Sequence, residues 1–201
     1  MYNGFYYFAD FRNFESIISN GIFSKNYIHK TRIKNYDFSN SEVQVRRHFK
    51  EIDLNGIKYR IHDFVPLYFV PKTPTLFAID ERELLFFIEI NKNIISHNKK
   101  YIFSDGNAAS NRTGFYDDIG EAKKNIPWEV LNAKFWNNFE DGKRKRNAEI
   151  LIYDKIETSY FNRVIVNNKE VFNFFLEILD DLKWKGLNKD FKLQIDQSFF
   201  F

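Results

Sequence analysis

Aromatic side chains dominate this sequence and set the terms on which it can fold. The 24 Phe, 11 Tyr and 3 Trp make up 19% of 201 residues, beside only 8 Gly. With so many rings and so few small residues, the core has to be assembled from large side chains. Hydrophobic residues at 44% and charged residues at 28% belong to an ordinary globular chain and exclude wholesale disorder. The length predicts one domain over residues 1–201. The absence of Cys excludes disulfides, thiolate metal sites, iron–sulfur clusters and a cysteine nucleophile. No apolar run approaches the roughly 18 residues of a membrane span, since a charge interrupts even Leu84 to Ile90. Met1 to Asp10 lacks a basic region followed by an apolar core, so no secretory signal is expected and the default location is cytoplasmic.

Net charge is +3, and Lys143-Arg144-Lys145-Arg146 alone supplies four positive charges. Such a cluster on an otherwise balanced chain reads as a localised phosphate contact, or as a solvated loop with Glu140 and Asp141 as counter-ions.

Periodicity predicts an α+β chain. Phe5 to Phe8 reads as a strand; Asn13 is placed to cap a helix presenting Phe14, Ile17 and Ile18, with Gly21 closing it. The polar segment Lys30 to His62 is too long for a connector and reads as a functional lid or a disordered insert. Strands are expected over Phe64 to Val70, Leu84 to Ile90, Tyr101 to Phe103, Ala148 to Tyr153 and Val164 to Val166. A loop is expected over Ser104 to Asp118. Helices are expected from Pro74 to Ile79, from Pro127 to about Asn138, and from Val171 to Leu182, where six apolar residues repeat at helical spacing. Phe191, Leu193 and Ile195 alternate as a last edge strand. Strands and helices do not strictly alternate, which favours α+β over a doubly wound sheet.

Glycine-rich phosphate loops are absent, and His29, His48, His62 and His97 show no metal-ligand spacing. Asp117-Asp118 with Glu149 resembles a metal-dependent nuclease set only loosely, and acids ahead of a helix serve as caps. No metal is expected. Glu149 is the unusual residue. It opens the apolar run Ile150-Leu151-Ile152-Tyr153, where a carboxylate is costly unless it is paired with a neighbouring cation or lies at a cleft.

Several stretches, taken in order, resemble the DarT family of nucleic-acid ADP-ribosyltransferases, toxins of bacterial toxin–antitoxin and phage-defence systems. Phe5 to Gly21 is similar to the family's first strand and helix, and Val45-Arg46-Arg47 sits at its paired arginine. Val65-Pro66-Leu67-Tyr68-Phe69-Val70-Pro71-Lys72-Thr73-Pro74 resembles its Val-Pro-Phe-Tyr-Phe-x-Pro-Arg-Ser-Pro signature. Phe103-Ser104-Asp105-Gly106-Asn107, Phe115-Tyr116-Asp117-Asp118 and Arg144-Lys145-Arg146-Asn147-Ala148-Glu149-Ile150-Leu151 continue the series. The match runs collinearly over about residues 5–167, leaving a helix and a strand in 168–201. Two departures stand out. Tyr7 replaces a family histidine and Lys72 replaces an arginine, losing a bidentate fork.

The resemblance implies an ADP-ribosyltransferase fold, with two small packed sheets, flanking helices and an NAD cleft. It implies NAD as a substrate, single-stranded DNA or RNA as acceptor, and an antitoxin as partner. It assigns Glu149 and Arg47 to catalysis and places Tyr7, Asn13, Gly21, Arg47 and Tyr68 around NAD. Arg46, Lys143, Arg144, Lys145 and Arg146 would hold the nucleic acid, with Trp136 or Tyr116 stacking a base. The lid Lys30 to His62 would be mobile when empty and ordered by NAD. Two other readings remain at this point: a non-enzymatic single-strand binder, and a transferase with a protein acceptor.

Overall fold

Strands buried on both faces read as unbroken apolar runs, and two such runs form the centre of the sheet. The computed structural model describes residues 4–54, 56–97, 100–186 and 190–201; Met1 to Asn3 of the opening segment and Asn55 of the long polar segment lie outside them. In chain order the strands are β1 (Gly4–Asp10), β2 (Ile22–Phe23), β3 (Glu51–Leu54), β4 (Ile57–Arg60), β5 (Phe64–Tyr68), β6 (Leu85–Asn91), β7 (Tyr101–Ser104), β8 (Phe115–Tyr116), β9 (Glu149–Tyr153), β10 (Lys155–Ile156), β11 (Phe161–Val166) and β12 (Lys192–Ile195). The helices are α1 (Phe14–Asn20), α2 (Lys25–Thr31), α3 (Ser41–Phe49), α4 (Pro74–Phe77), α5 (Ile94–His97), α6 (Ile119–Asn125), α7 (Trp128–Asn132), α8 (Gly142–Lys145) and α9 (Lys169–Trp184).

Eight strands hydrogen-bond in the order β12-β11-β6-β1-β5-β9-β7-β8, antiparallel throughout except for β11 with β12. The junction between β1 and β5 is narrow. Seven registered pairs join β1 to β6, and five join β5 to β9, but Tyr6↔Tyr68 is the single registered pair between β1 and β5. The expected two small sheets are therefore two four-stranded halves joined at one point. Along that line the register reads Arg163, Glu89, Tyr6, Tyr68, Glu149, one residue from each of five strands.

One face of both halves is covered continuously. Phe5, Phe86, Ile88, Val65, Leu67, Ile150 and Ile152 pack there with Phe14, Ile17 and Ile18 of α1 and Val171, Phe175 and Leu182 of α9. Phe14 and Phe175 stack with centroids 3.6 Å apart. The opposite face is covered in two separate pieces. Tyr6, Phe8, Phe87, Leu76, Phe199 and Phe200 cover one half. Ile52, Ile61, Phe64, Ala108 and Leu151 cover the other. A cleft opens between the two pieces, beside the seam.

The structure adds to the sequence expectations in one place and departs from them in three. The segment Lys30 to His62 carries α3 and the β3–β4 hairpin, hidden because α3 has no buried apolar face: it buries only Arg47 and leaves Val45 and Phe49 exposed. Asn40 caps α3 by accepting from the Val43 N–H, and Asp53 accepts from Gly56 N–H in the hairpin turn. Asn13 makes no side-chain cap; Asp10 caps the preceding turn, and the Asn13 amide turns to Tyr36 instead. The helix expected over Pro127 to Asn138 ends at Asn132, with a 3₁₀ turn following at Trp136–Asn138. Ahead of it, the loop expected through Asp118 contains β8 and runs into α6, which Asp118 caps. Ile126 is extended, as a residue before proline must be, and separates α6 from α7.

Candidate active site

Glu149 lies on the cleft floor because β9 begins there, paired with Tyr68 across β5. Its side chain is 1% exposed. Ser104 fixes its backbone: the hydroxyl accepts from the Glu149 N–H at 3.0 Å and donates to the Gly106 carbonyl at 2.8 Å. Arg47 reaches it from α3, 102 residues away in sequence. Nη1 donates to Oε1 at 3.1 Å and Nη2 to Oε2 at 3.0 Å, a bidentate fork. The Ala108 N–H also donates to Oε1, at 3.1 Å. Burial opposes the Arg47 charge, but the Glu149 carboxylate outweighs it and raises the guanidinium further above its ordinary value. Of the two readings of Glu149, pairing with a neighbouring cation at the strand edge is thus replaced by pairing with a distant arginine inside a cleft.

A carboxylate offers about four acceptor sites. Three are occupied here, so Oε2 keeps one lone-pair direction for a ligand. Arg47 has five N–H donors and spends two on Glu149. The pair is charged, oriented and incompletely used.

The cleft measures about 660 Å³ and is lined by Tyr7, Asn13, Arg46, Arg47, Tyr68, Lys143 and Glu149 among others. Seven of the residues singled out in the sequence therefore converge. Burial pushes the Tyr7 phenol up to about 12, with the Asp37 charge adding to it, and burial followed by the Glu149 charge raises Tyr68 likewise. Both stay neutral donors. Asn13 lines the cleft and also holds its wall. Its amide donates to the Tyr36 carbonyl at 2.9 Å and accepts from the Tyr36 N–H at 2.9 Å, pinning the 35–40 wall. Lys25 braces the same wall through Asp37 at 2.8 Å; burial would raise Asp37, but the Lys25 and Ser39 hydrogen bonds hold it low.

Other assignments separate in space. Gly21 does not line the cleft; its φ of 92° and its approach to Ile156, whose carbonyl oxygen would lie 2.4 Å from an added Cβ, serve the β2–β10 ribbon. The basic run splits. Arg146 is buried, donating through Nε to the Lys72 carbonyl and through Nη1 to the carbonyls of Val130, Leu131 and Ala133, each at 2.8 Å, so it closes the end of α7. Arg144 pairs with Asp105 at 2.6 Å and Asp141 at 2.5 Å, fixing the loop that carries Ala108. Both guanidiniums thus make contacts within the protein, Arg146 to carbonyls and Arg144 to carboxylates. Lys143 is exposed on the cleft rim and Lys145 is half-buried outside it. Arg46 is exposed at the cleft edge, beside buried Arg47.

Sequence reasoning missed the Ala108 N–H, Ser104, the Lys25–Asp37 brace and His62, whose Nε2 lies 3.0 Å from the Gln44 Oε1 of α3. Burial, then the Arg47, Lys25 and His48 charges, push His62 down to about 4. Ser104 opens the Ser-Asp-Gly-Asn motif and Ala108 follows it, which was the available signal.

A family model described as ssDNA thymidine ADP-ribosyltransferase, DarT, matches residues 6–201. The chain belongs to the DarT family. A DNA ADP-ribosyl transferase of Thermus aquaticus is 29% identical over 108 residues, covering 49% of this chain and 47% of that protein. A DNA ADP-ribosyl transferase–glycohydrolase fusion protein of Thermosipho africanus is 26% identical over 202 residues, or 98% of this chain and 49% of the relative. The chain spans about half the length of these curated relatives. The DarT of Thermus sp. 2.9, solved with ADP-ribosylated ssDNA, superposes with a TM-score of 0.87 at 18% identity, covering 99% of this chain and 96% of that one. The same protein solved with NAD+ gives 0.81 at 17% identity, covering 99% and 98%.

Proposed function

We propose that this chain acts as one domain that transfers ADP-ribose from NAD to a base of single-stranded DNA. The observation that carries the reading is the Glu149 carboxylate, buried and charge-paired on a cleft floor, with an acceptor direction left open. Cleaving the bond between nicotinamide and ribose develops positive charge on the sugar, and a fixed carboxylate beside it stabilises that charge more than the ground state. Glu149 Oε2 accepts from the ribose 2′-OH. The unused N–H groups of Arg47 take a diphosphate oxygen, and Tyr7 and Tyr68 present neutral rings and hydroxyls to the nicotinamide side. As nicotinamide leaves with the bonding electron pair, a ring nitrogen of the base bonds the ribose carbon, and its proton passes to Glu149 and then to solvent. The acceptor must be unstacked for this attack, which favours single strands. DNA is preferred over RNA because the family description and the named relatives specify DNA; thymidine is the first base to test. We extend the reading to a cytoplasmic toxin held in check by an antitoxin.

Incubation with NAD and matched DNA or RNA oligonucleotides, read by mass, tests it. The expected result is one ADP-ribose added to the DNA strand and none with Glu149→Gln. Modification of RNA alone, or of neither, would overturn the assignment.

A further inference from the structure

Outside the cleft, the most unusual surface is a cluster of two exposed rings and one half-buried ring interleaved with cations. Phe77 of α4, Trp136 and Phe201 sit mutually edge to face, with centroid separations of 5.2 to 6.1 Å. Phe77 is 56% exposed and Phe201 49%. Arg82 lies 5.4 Å from the Phe77 ring and 5.8 Å from Phe201, and Lys72 lies 5.6 Å from Phe201. Among the described residues, no carboxylate forms a salt bridge with Lys72 or Arg82. Rings left partly in solvent beside cations that form no ion pair are not a packing requirement of the core, although Asp80, Glu81 and Glu83 adjoin Arg82 in the chain and its Nη1 donates to the Phe77 carbonyl.

The cluster adjoins the cleft. Pro74, Thr75 and Ala78, around Phe77 in sequence, line the cleft, as does Lys143 beyond Trp136. Asn147, two residues before Glu149, accepts from the Thr75 N–H at 3.2 Å and its hydroxyl at 2.9 Å, tying α4 to the strand that carries the carboxylate. Behind Trp136 the Arg146 guanidinium lies 5.9 Å from the ring, itself locked on the carbonyls at the end of α7. The rings are therefore held on a rigid wall whose inner side is the cleft.

We propose that this wall is the path of the DNA strand beyond the modified base: Phe77, Trp136 and Phe201 stack unpaired bases while Lys72, Arg82 and Lys143 meet the phosphates. Rings supply sequence-tolerant stacking and cations follow the backbone, the combination single strands require. A protein partner would seek acids opposite these cations or apolar surface without them, and is the competing occupant.

The inference rests on the DNA-transferase reading, and the test separates the two. Binding of oligo-dT of about 4 and about 12 nucleotides is measured by anisotropy for wild type, Phe77→Ala, Arg82→Gln and the double variant, with NAD-induced thermal stabilisation as the check of an intact cleft. The expected result is about a 10-fold or greater loss for the long strand in the double variant, a shallower salt dependence for Arg82→Gln, and unchanged NAD stabilisation. Trp136 fluorescence should be quenched by the long strand, and Trp136→Phe should remove that quenching. Wild type that modifies DNA while the variants bind the long strand normally, with no Trp136 quenching, overturns the path and leaves the enzyme reading intact. Wild type that neither binds nor modifies DNA overturns both.

Discussion

Neutralising Glu149 should release α3, because Arg47 is the only buried residue of that helix. The substitution Glu149→Gln keeps the side-chain shape and one acceptor oxygen but faces the guanidinium with an amide donor. One charge-assisted hydrogen bond is lost and the other weakened; at about 1.5–3 kcal/mol for each such bond, closure of α3 loses about 2–4 kcal/mol. The opening equilibrium should then rise about 30- to 1,000-fold, since about 1.4 kcal/mol is a factor of ten. Global stability should fall less. Opening hydrates Arg47, so the cation is not trapped unpaired in the interior. Hydrogen exchange of the Val45 to Phe49 amides reads the effect directly, with α9 as an internal reference. Arg47→Ala should raise exchange over the same amides, and the double variant should add little to either single change. Transfer by Glu149→Gln should fall by at least about 100-fold. Unchanged α3 protection in both single variants would refute the account, since the fork would then contribute nothing to closing the helix.

Three further outcomes follow from the same geometry. His62 titrates at about 4 in the fold against an ordinary 6.5, so the unfolded chain binds the extra proton; stability is unaffected above pH 6.5 and declines by up to about 1.4 kcal/mol per pH unit down to pH 4. Thermal melts of His62→Gln should lose that part of the acid slope, and an identical slope would dismiss it. Arg146→Ala should lower the melting temperature sharply by orphaning four carbonyls, whereas Lys143→Ala should leave it unchanged while reducing the salt slope of DNA binding by about 0.7; equal behaviour of the two variants would contradict the division of the basic run. Gly21→Ala should destabilise by about 1–3 kcal/mol, because its φ is positive and Ile156 blocks a Cβ; a neutral result in denaturant titration would contradict that constraint.

Elements with one dominant periodicity were legible. The buried runs at β6 and β9, the amphipathic α9 and the alternating β12 all fall where residue spacing put them. Glu149 stood out because a carboxylate heads an apolar strand, a local signal. What failed was whatever depends on distant partners. Nothing near Arg146 in sequence shows that it caps α7, and no pattern in α3 shows that Arg47 is buried while Arg46 is not. The 4-residue α8 and the 7-residue α6 are held by caps and tertiary hydrogen bonds, too short for a periodic signature, whereas the equally short α4 was legible because Pro74 marks its first turn. Ordered motif resemblance bridged that gap for Glu149 and Arg47, but it could not separate the structural cations of the basic run from the exposed ones.

The single Tyr6↔Tyr68 pair makes the seam a pivot. Rotating one half about it displaces each strand in proportion to its distance from the axis, with strands about 4.8 Å apart. A turn of about 5° would shift β9 by about 0.6 Å and the outermost β8 by about 1.5 Å. Reacting groups tolerate misplacement of about 0.5 Å, so a turn of that size would bring Glu149 to about that limit, while the outermost strand would move more than twice as far. Because β9 is the second strand from the axis, such a turn would displace the cleft floor less than half as far as the outer edge of the sheet.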